Sequence, residues 1–349
     1  MIGERVISWA YPVTSRGVTE PVRVPTPYYG GKAKLAATIA SSFPPHHHYV
    51  EVCAGSLAVL LAKQPAPMET VNDLDQRLMS FWRVLRERPS ELERVCALTP
   101  HSRAERELAL SIDPNHLDEL ETARRVFVAL TQGRSATLAR TGWRNQVAPS
   151  HPMPLALAKY AARLGPAAAR IARVSLECRD AVEMVQAYGV EPSTLIYVDP
   201  PYEQHSPAGK LMRKWNYGTE MPTRAHTSLI DAVVAAESMV VVSGYGGGRW
   251  DSALSHWHRY ELETHTAQGG TDAPRGSART EVLWSNTPLN GLDVSVRPTG
   301  ESPGRCSETP PLRCPVCTRL LRQPKTGRRR RWCSDACRVR HYRASRAGG

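Results

Sequence analysis

The chain has no apolar run approaching the roughly 18 residues that a membrane-crossing helix requires, and Met1 to Glu20 has no apolar stretch of the kind that marks a secretory signal. The expectation is a cytoplasmic protein with no membrane partner. Without a secretory signal the eight cysteines point to metal ligation or inert burial in a reducing compartment rather than to disulfides. No internal repeat is visible at solenoid or propeller periods. Acidic residues are nearly missing from one end. Between positions 312 and 349 Asp335 is the single acid against twelve Lys or Arg, so eleven of the chain's net +12 charges sit in that tail. A concentrated basic patch beside a nearly neutral body is the electrostatic footprint of a polyanion binder.

What is present suits one large catalytic domain plus a small appendage in 349 residues. Short apolar, β-branched runs recur at Tyr49 to Cys53, Thr70 to Val71, Val174 to Leu176, Thr194 to Val198, Met239 to Val242 and Glu281 to Trp284. Helical spacing between several of them predicts an α/β fold with a mainly parallel sheet. Between Asp75 and Arg170 the composition turns to Ala, Leu, Arg and Glu, with Leu78, Phe81, Trp82 and Leu85 at helical intervals. So long a crossover reads as a helical subdomain inserted into the sheet topology. After Asn286 the chain becomes rich in Pro, Gly and Ser through Thr309-Pro310-Pro311, which is the composition of a linker.

The run Thr194 to Val198 delivers Asp199-Pro200-Pro201-Tyr202 to the tip of a buried strand. One reading is a Pro-Pro turn with Asp199 as a solvated strand-end residue. The other is chemical. The exocyclic amine of adenine is a poor nucleophile, because its lone pair is delocalised into the ring and its two N–H groups need acceptors. Asp199 and the Pro200 carbonyl could accept one N–H each, pushing the nitrogen toward a tetrahedral shape and aiming its lone pair at an electrophilic methyl group. Tyr202 could stack on the base.

Upstream, Tyr49-Val50-Glu51-Val52-Cys53-Ala54-Gly55-Ser56 reads as a strand running into a turn of small residues, ahead of the helical Ala58 to Lys63. In doubly wound folds the first strand ends this way, letting backbone approach a cofactor. About twenty residues on, Asp73 in Val71-Asn72-Asp73-Leu74-Asp75 ends the second strand, where a ribose would be held through its hydroxyls. Asp73 equally suits the N-cap of a helix from Gln76 to Leu85. Pro27-Tyr28-Tyr29-Gly30-Gly31-Lys32 is either a surface turn before a helix starting near Lys34 or a loop closing over a nucleoside, with Lys32 meeting a carboxylate.

In this order the segments resemble the Dam-like (alpha-group) family of DNA adenine-specific N6-methyltransferases, over about residues 24 to 286. The resemblance implies a Rossmann-like sheet that uses S-adenosylmethionine (SAM) and acts on a flipped-out adenine in double-stranded DNA. It implies cofactor contacts from Tyr28, Gly30, Gly31 and Lys32, then from Glu51, Cys53, Ala54 and Gly55, then from Asp73, with Asp180 near the cofactor adenine. The catalytic motif is matched without change by Asp199, Pro200, Pro201 and Tyr202. Val52 and Cys53 depart from the family's Pro-Phe, and Leu57 stands where many members have a second glycine. The helical block corresponds to the family's target-recognition insertion, with Arg134, Ser135, Trp143 and Arg144 as DNA contacts. The loop Gln268 to Arg279 falls where members also touch DNA. The expected division is an N-terminal arm (1–23), a core (24–75 and 171–286), the insertion (76–170), the linker (287–311) and a basic module (312–349).

That module carries Cys314-Pro315-Val316-Cys317 and, fifteen residues on, Cys333-Ser334-Asp335-Ala336-Cys337. Two close cysteine pairs so spaced can converge as four thiolates on a structural Zn2+, with His341 as a substitute ligand. A segment with so few apolar side chains would take its folding energy from the metal. The module resembles a zinc ribbon or treble clef, and Arg328, Arg329, Arg330 and Arg331 are expected to neutralise phosphates. Cys53, Cys96, Cys178 and Cys306 are expected to be structural or incidental, and His46 to His48 a loop before the first strand. The expected protein is a nucleoid-associated monomer, with a cognate restriction endonuclease as a candidate partner. Rival readings are methylation of cytosine N4, RNA adenine or a glutamine amide, and a catalytically silent DNA-binding zinc protein.

Overall fold

A computed structural model describes residues 21–112, 118–145, 152–202, 221–265 and 278–296. The described residues lie in one compact unit, within residues 1–298. The four tail cysteines Cys314, Cys317, Cys333 and Cys337, the arginines Arg328 to Arg331, His341 and Cys306 lie outside the described residues, as do most of the loop after Gln268 and most of the linker.

In chain order the elements are α1 (Ala36–Ser42), β1 (His48–Glu51), α2 (Ala58–Ala62), β2 (Met68–Asn72), α3 (Gln76–Glu87), α4 (Pro89–Leu98), α5 (Arg103–Leu108), α6 (Glu119–Gln132), α7 (Met153–Ala161) and α8 (Leu164–Ile171). They continue with β3 (Ser175–Glu177), α9 (Ala181–Tyr188), β4 (Thr194–Val198), α10 (Thr223–Val234), β5 (Met239–Gly244), α11 (Arg249–Ala253), β6 (His258–His265), β7 (Ala278–Ser285) and β8 (Val294–Val296). The strands form one sheet in the order β3-β2-β1-β4-β5-β7-β6-β8. From β3 to β5 every pairing is parallel, whereas β7, β6 and β8 pair antiparallel. The expected mostly parallel α/β sheet is therefore present.

Period-2 alternation puts Leu195 and Tyr197 of β4 into one apolar layer and Ile196 and Val198 into the other. The first layer also holds side chains of α1, α2, α3, α6 and α8, and the second those of α9, α10 and α11. Buried on both faces, β4 is apolar throughout its length, and this keeps the polar motif after it at the sheet's carboxyl edge.

The helical block shares the sheet's core. Leu78, Phe81, Trp82, Leu85, Phe127 and Ile171 belong to one buried cluster with Tyr49, Leu60 and Val71. The start of α3 differs from one sequence expectation. Its N-cap is Asp75, whose side chain accepts from the Arg77 N–H, while Asp73 turns back toward β1.

Strand β6 answers to no apolar run in the sequence. Its Tyr260 and Leu262 are buried while Glu261 between them is exposed, the half-buried pattern of antiparallel pairing. Cys53, Cys96 and Cys178 are free thiols. Among the described residues no helix is long and apolar enough to cross a membrane.

Candidate active site

Chain connections reverse direction between β1 and β4, the neighbours at the centre of the parallel sheet. In open α/β sheets the crevice beyond the carboxyl ends at such a switch point is the standard ligand position. A cavity of about 610 Å³ opens there, within the size range of small-molecule sites. It is lined by Tyr28, Gly30, Gly31, Lys32, Glu51, Cys53, Ala54, Gly55, Asp73, Asp180, Asp199 and Pro201. All ten residues singled out as cofactor contacts thus meet on one cavity, from four separate stretches of sequence. Pro200 and Tyr202 flank it without lining it.

The turn after β1 is shaped by backbone conformation. Gly55 has φ +49°, and a Cβ there would lie 3.0 Å from the Tyr28 ring, so only glycine lets the Tyr28 loop close on the turn. Leu57, two residues on, is also left-handed at φ 55° and wholly buried. Holding a leucine there costs about 1–2 kcal/mol, which burial of its side chain, worth about 1.5–3 kcal/mol, offsets.

Asp73 fastens the turn to the end of β2. Its Oδ2 accepts from the Gly55 N–H at 3.0 Å and its Oδ1 from the Asp75 N–H at 3.0 Å. Burial nevertheless pushes its carboxyl up to about 6, outweighing these two hydrogen bonds. Trp82 of α3 donates to the Gly55 carbonyl at 3.1 Å. Asn72, which sequence reading passed over, ties three strand ends together: its Nδ2 donates to the carbonyls of Val52 (2.9 Å) and Arg179 (3.0 Å), and its Oδ1 accepts from the Arg179 N–H at 2.7 Å. An Asn directly after the β-branched Thr70 and Val71 was the available signal.

Asp180 caps α9 by accepting from the Val182 N–H at 2.8 Å, leaving its second oxygen atom for the cavity. Glu51 is buried in the cavity wall, where Oε2 accepts from the Tyr49 hydroxyl (2.9 Å) and the Leu60 N–H (3.1 Å). Burial dominates and raises its carboxyl to about 8.

Across the cavity Lys32 does not stand free. Its Nζ donates to both carboxylate oxygens of Asp199, at 2.7 and 2.8 Å, and to the Tyr202 hydroxyl at 2.5 Å. The Tyr202 hydroxyl in turn donates to Glu281 Oε1 at 2.6 Å, and the ammonium lies 3.4 Å from that same oxygen. Burial works against the charge on Lys32, but Asp199 and Glu281 more than compensate, and its pKa is raised. Asp199 Oδ1 also accepts from Ser243 Oγ at 2.9 Å, and Ser243 Oγ shares a hydrogen bond with the Tyr197 hydroxyl at 2.9 Å. The Tyr202 ring leans on Tyr245, with centroids 4.4 Å apart at 54°. The sequence reading had Lys32 meeting a carboxylate without naming it, and the carboxylates it meets here are those of Asp199 and Glu281. Ser243, Tyr245 and Glu281 were missed as site residues, and only Glu281 had a sequence signal, as the acid heading the apolar run Val282 to Trp284.

The DNA-contact candidates sit on a hairpin after α6, closed by an antiparallel bridge between Gly133 and Trp143. Arg134 is exposed, while Ser135, Trp143 and Arg144 are half-buried. Trp143 is already engaged: the His101 ring stacks on it at 4.4 Å and 16°, and the Arg103 guanidinium lies 4.6 Å from its centroid. Backbone bonds from Arg134 N to Gly142 O (2.9 Å) and from Arg144 N to Gln132 O (2.7 Å) hold the two limbs. At its corner the Ala136 carbonyl accepts from the Tyr29 N–H at 2.8 Å, joining the hairpin to the loop over the cavity.

Sheet order and cavity together define an α/β protein with a small-molecule site at the switch point and a carboxylate motif facing it. The family is then given by comparison with known proteins. The family model of the D12 class N6 adenine-specific DNA methyltransferases matches residues 28–235, and the chain belongs to that family. Similar solved structures include a SAM-dependent methyltransferase from Agrobacterium tumefaciens, with 11% identity over 73% of this chain and 61% of the other and a TM-score of 0.30. Another is the precorrin 8w decarboxylase of Methanobacterium thermoautotrophicum, with 9% identity over 72% and 87% and a TM-score of 0.29. At such low scores the fold assignment rests on the sheet order itself. No curated protein matches the chain.

Proposed function

We propose that the chain is a site-specific DNA adenine N6-methyltransferase of the Dam-like subgroup, using SAM and acting on an adenine swung out of the duplex. One observation carries the reading. Asp199 of the Asp-Pro-Pro-Tyr motif opens onto the same 610 Å³ cavity as the glycine turn at Gly55 and the strand-end acid Asp73. The cavity suits SAM, because the tight turn at Gly55 forms part of its wall and Asp73 and Asp180 offer acceptors for hydroxyl and amine groups.

Bound SAM supplies a methyl group on a positively charged sulfur, so that the N–CH3 bond forms as the S–CH3 bond breaks and the sulfur becomes a neutral thioether. The residues of this chain provide position. Asp199 accepts one N–H of the adenine amine and the Pro200 carbonyl the other, which directs the nitrogen lone pair, and alignment supplies most of the rate. Asp199 stabilises the positive charge that passes to the amine, whose extra proton then leaves readily, so no strong base is required. Tyr202 offers its ring to the extruded base, and the cost of unstacking, a few kcal/mol, is recovered in binding.

In this reading residues 76–170 carry target recognition, with Arg134, Ser135, Trp143 and Arg144 on the DNA side. The tail from 312 to 349 binds one structural zinc through Cys314, Cys317, Cys333 and Cys337 and holds the duplex nonspecifically. Elemental analysis of the whole chain is expected to find about one zinc per molecule. A metal-free chain would remove that module from the proposal. The activity itself is tested by expressing the chain in a host free of adenine methylation and mapping modified bases by long-read sequencing. N6-methyladenine at one short recurring sequence is expected, and unmodified DNA in the presence of folded, SAM-binding protein would overturn the reading.

A further inference from the structure

Lys32, Asp199, Glu281 and Tyr202 form a cluster in which one ammonium serves two carboxylates. Asp199 comes from the end of β4 and Glu281 from β7, two strands away, with β5 between them. Lys32, on the loop before α1, reaches both. Were Asp199 and Lys32 alone, the pair would be neutral, and the carboxylate facing the amine would have little field left for the charge that develops there. Glu281 changes that balance. With two carboxylates and one ammonium the cluster carries a net charge of −1, and its Lys32 and Glu281 side chains are buried.

The hydrogen bonds fit an ionised Glu281. Its Oε1 accepts from the Tyr202 hydroxyl and faces the Lys32 ammonium, so two donors converge on one oxygen. The residue is 4% exposed on a strand whose next three residues, Val282 to Trp284, are buried and apolar, and a carboxylate in such a place is costly unless paired. The cavity described above is lined by Lys32 and Asp199 but not by Glu281. Glu281 therefore acts through its neighbours.

We propose that Glu281 is a positioning residue for methyl transfer. It holds the Lys32 ammonium and the Tyr202 hydroxyl in place, and it supplies the second negative charge that leaves the Asp199 site electronegative as positive charge moves onto the adenine amine. When the amine engages Asp199, the ammonium, already 3.4 Å from Glu281 Oε1, has a second carboxylate to turn to. This inference rests on the methyl-transfer reading and deepens it.

The test compares wild type with Glu281→Gln and Glu281→Asp, measuring kcat and KM for SAM and for DNA, SAM affinity by calorimetry, and thermal stability. Gln keeps the shape and the acceptor for Tyr202 but removes the charge. It is expected to lower kcat about 10- to 100-fold, with both KM values and the SAM affinity little changed. Asp keeps the charge at shorter reach and is expected to retain more activity than Gln. A Gln variant whose kcat stays within about threefold of wild type overturns the proposal, and so does a Gln variant more active than Asp. Should Gln fail to fold, an Asp variant that folds but is as inactive as Asp199→Ala overturns it as well. Wild type without methyl-transfer activity would instead sink the proposed function.

Discussion

The cavity wall and the hairpin that adjoins it use polar residues in opposite ways. Around the cavity, Lys32, Glu51 and Glu281 are buried and held by short, directed hydrogen bonds to one another or to backbone. On the hairpin, Arg134 is exposed and the aromatic Trp143 is stacked on side chains of its own region. Buried groups with fixed partners form a preorganised environment that can act on a reacting centre. Exposed arginines give affinity that water and salt share. The two regions should accordingly fail in different ways when altered.

The largest separation is expected from Asp199→Ala. Methyl transfer should fall by about 10²- to 10⁴-fold, while SAM binding measured by calorimetry and the fold persist, because Lys32 keeps Glu281 as a counter-ion. Near-normal turnover would break the contrast outright. Next in size is a pH effect on stability in Glu51→Gln. The Glu51 carboxyl rises from its ordinary 4.5 to about 8 in the folded chain, so between those values the folded state holds a proton that the unfolded state has released. Its favourable contribution is complete below pH 4.5 and is lost as the pH climbs through about 8. Thermal melts from pH 4 to 9 should show a decline on the order of a few kcal/mol in wild type that flattens in Glu51→Gln. An equal slope in both would place the proton elsewhere.

A smaller effect is expected at the turn. Gly55→Ala adds a Cβ 3.0 Å from the Tyr28 ring at φ +49°. It should destabilise the chain by about 1–2 kcal/mol and weaken SAM more than DNA, measured by melting and by calorimetry. The smallest belongs to the hairpin. Arg134→Ala should lower DNA affinity by about 1 kcal/mol or less and make its salt slope shallower by about one unit, with kcat unchanged. A kcat effect there would show that the hairpin also tunes the chemistry, and the contrast would need redrawing.

Much of the site was legible because it lies at strand ends. A parallel strand buried on both faces is a continuous apolar run, so Thr194 to Val198 announced where Asp199 must emerge. The glycine turn and Asp73 declared themselves by spacing. β6 escaped notice because its half-buried alternation contains no such run, and the Asp75 cap because two acids stood two residues apart with equal claims. That Lys32 meets a carboxylate was legible, but not that the carboxylates are those of Asp199 and Glu281. Their partnership joins groups more than eighty residues apart in sequence and depends on β5 lying between β4 and β7, which is set by the packing of the whole sheet. Leu57 sits between these cases: the sequence marked it as a departure from glycine, and only its left-handed backbone shows what that departure demands.

The bond from the Tyr29 N–H to the Ala136 carbonyl bears on the thermodynamics of the proposed reaction. It joins the loop above the cavity to the corner of the basic hairpin. In the proposed reaction any linkage that this contact carries between the affinities for SAM and for DNA is reciprocal. Whatever factor SAM adds to the grip on DNA, DNA must add to the grip on SAM, so neither order of binding can hold an equilibrium advantage over the other.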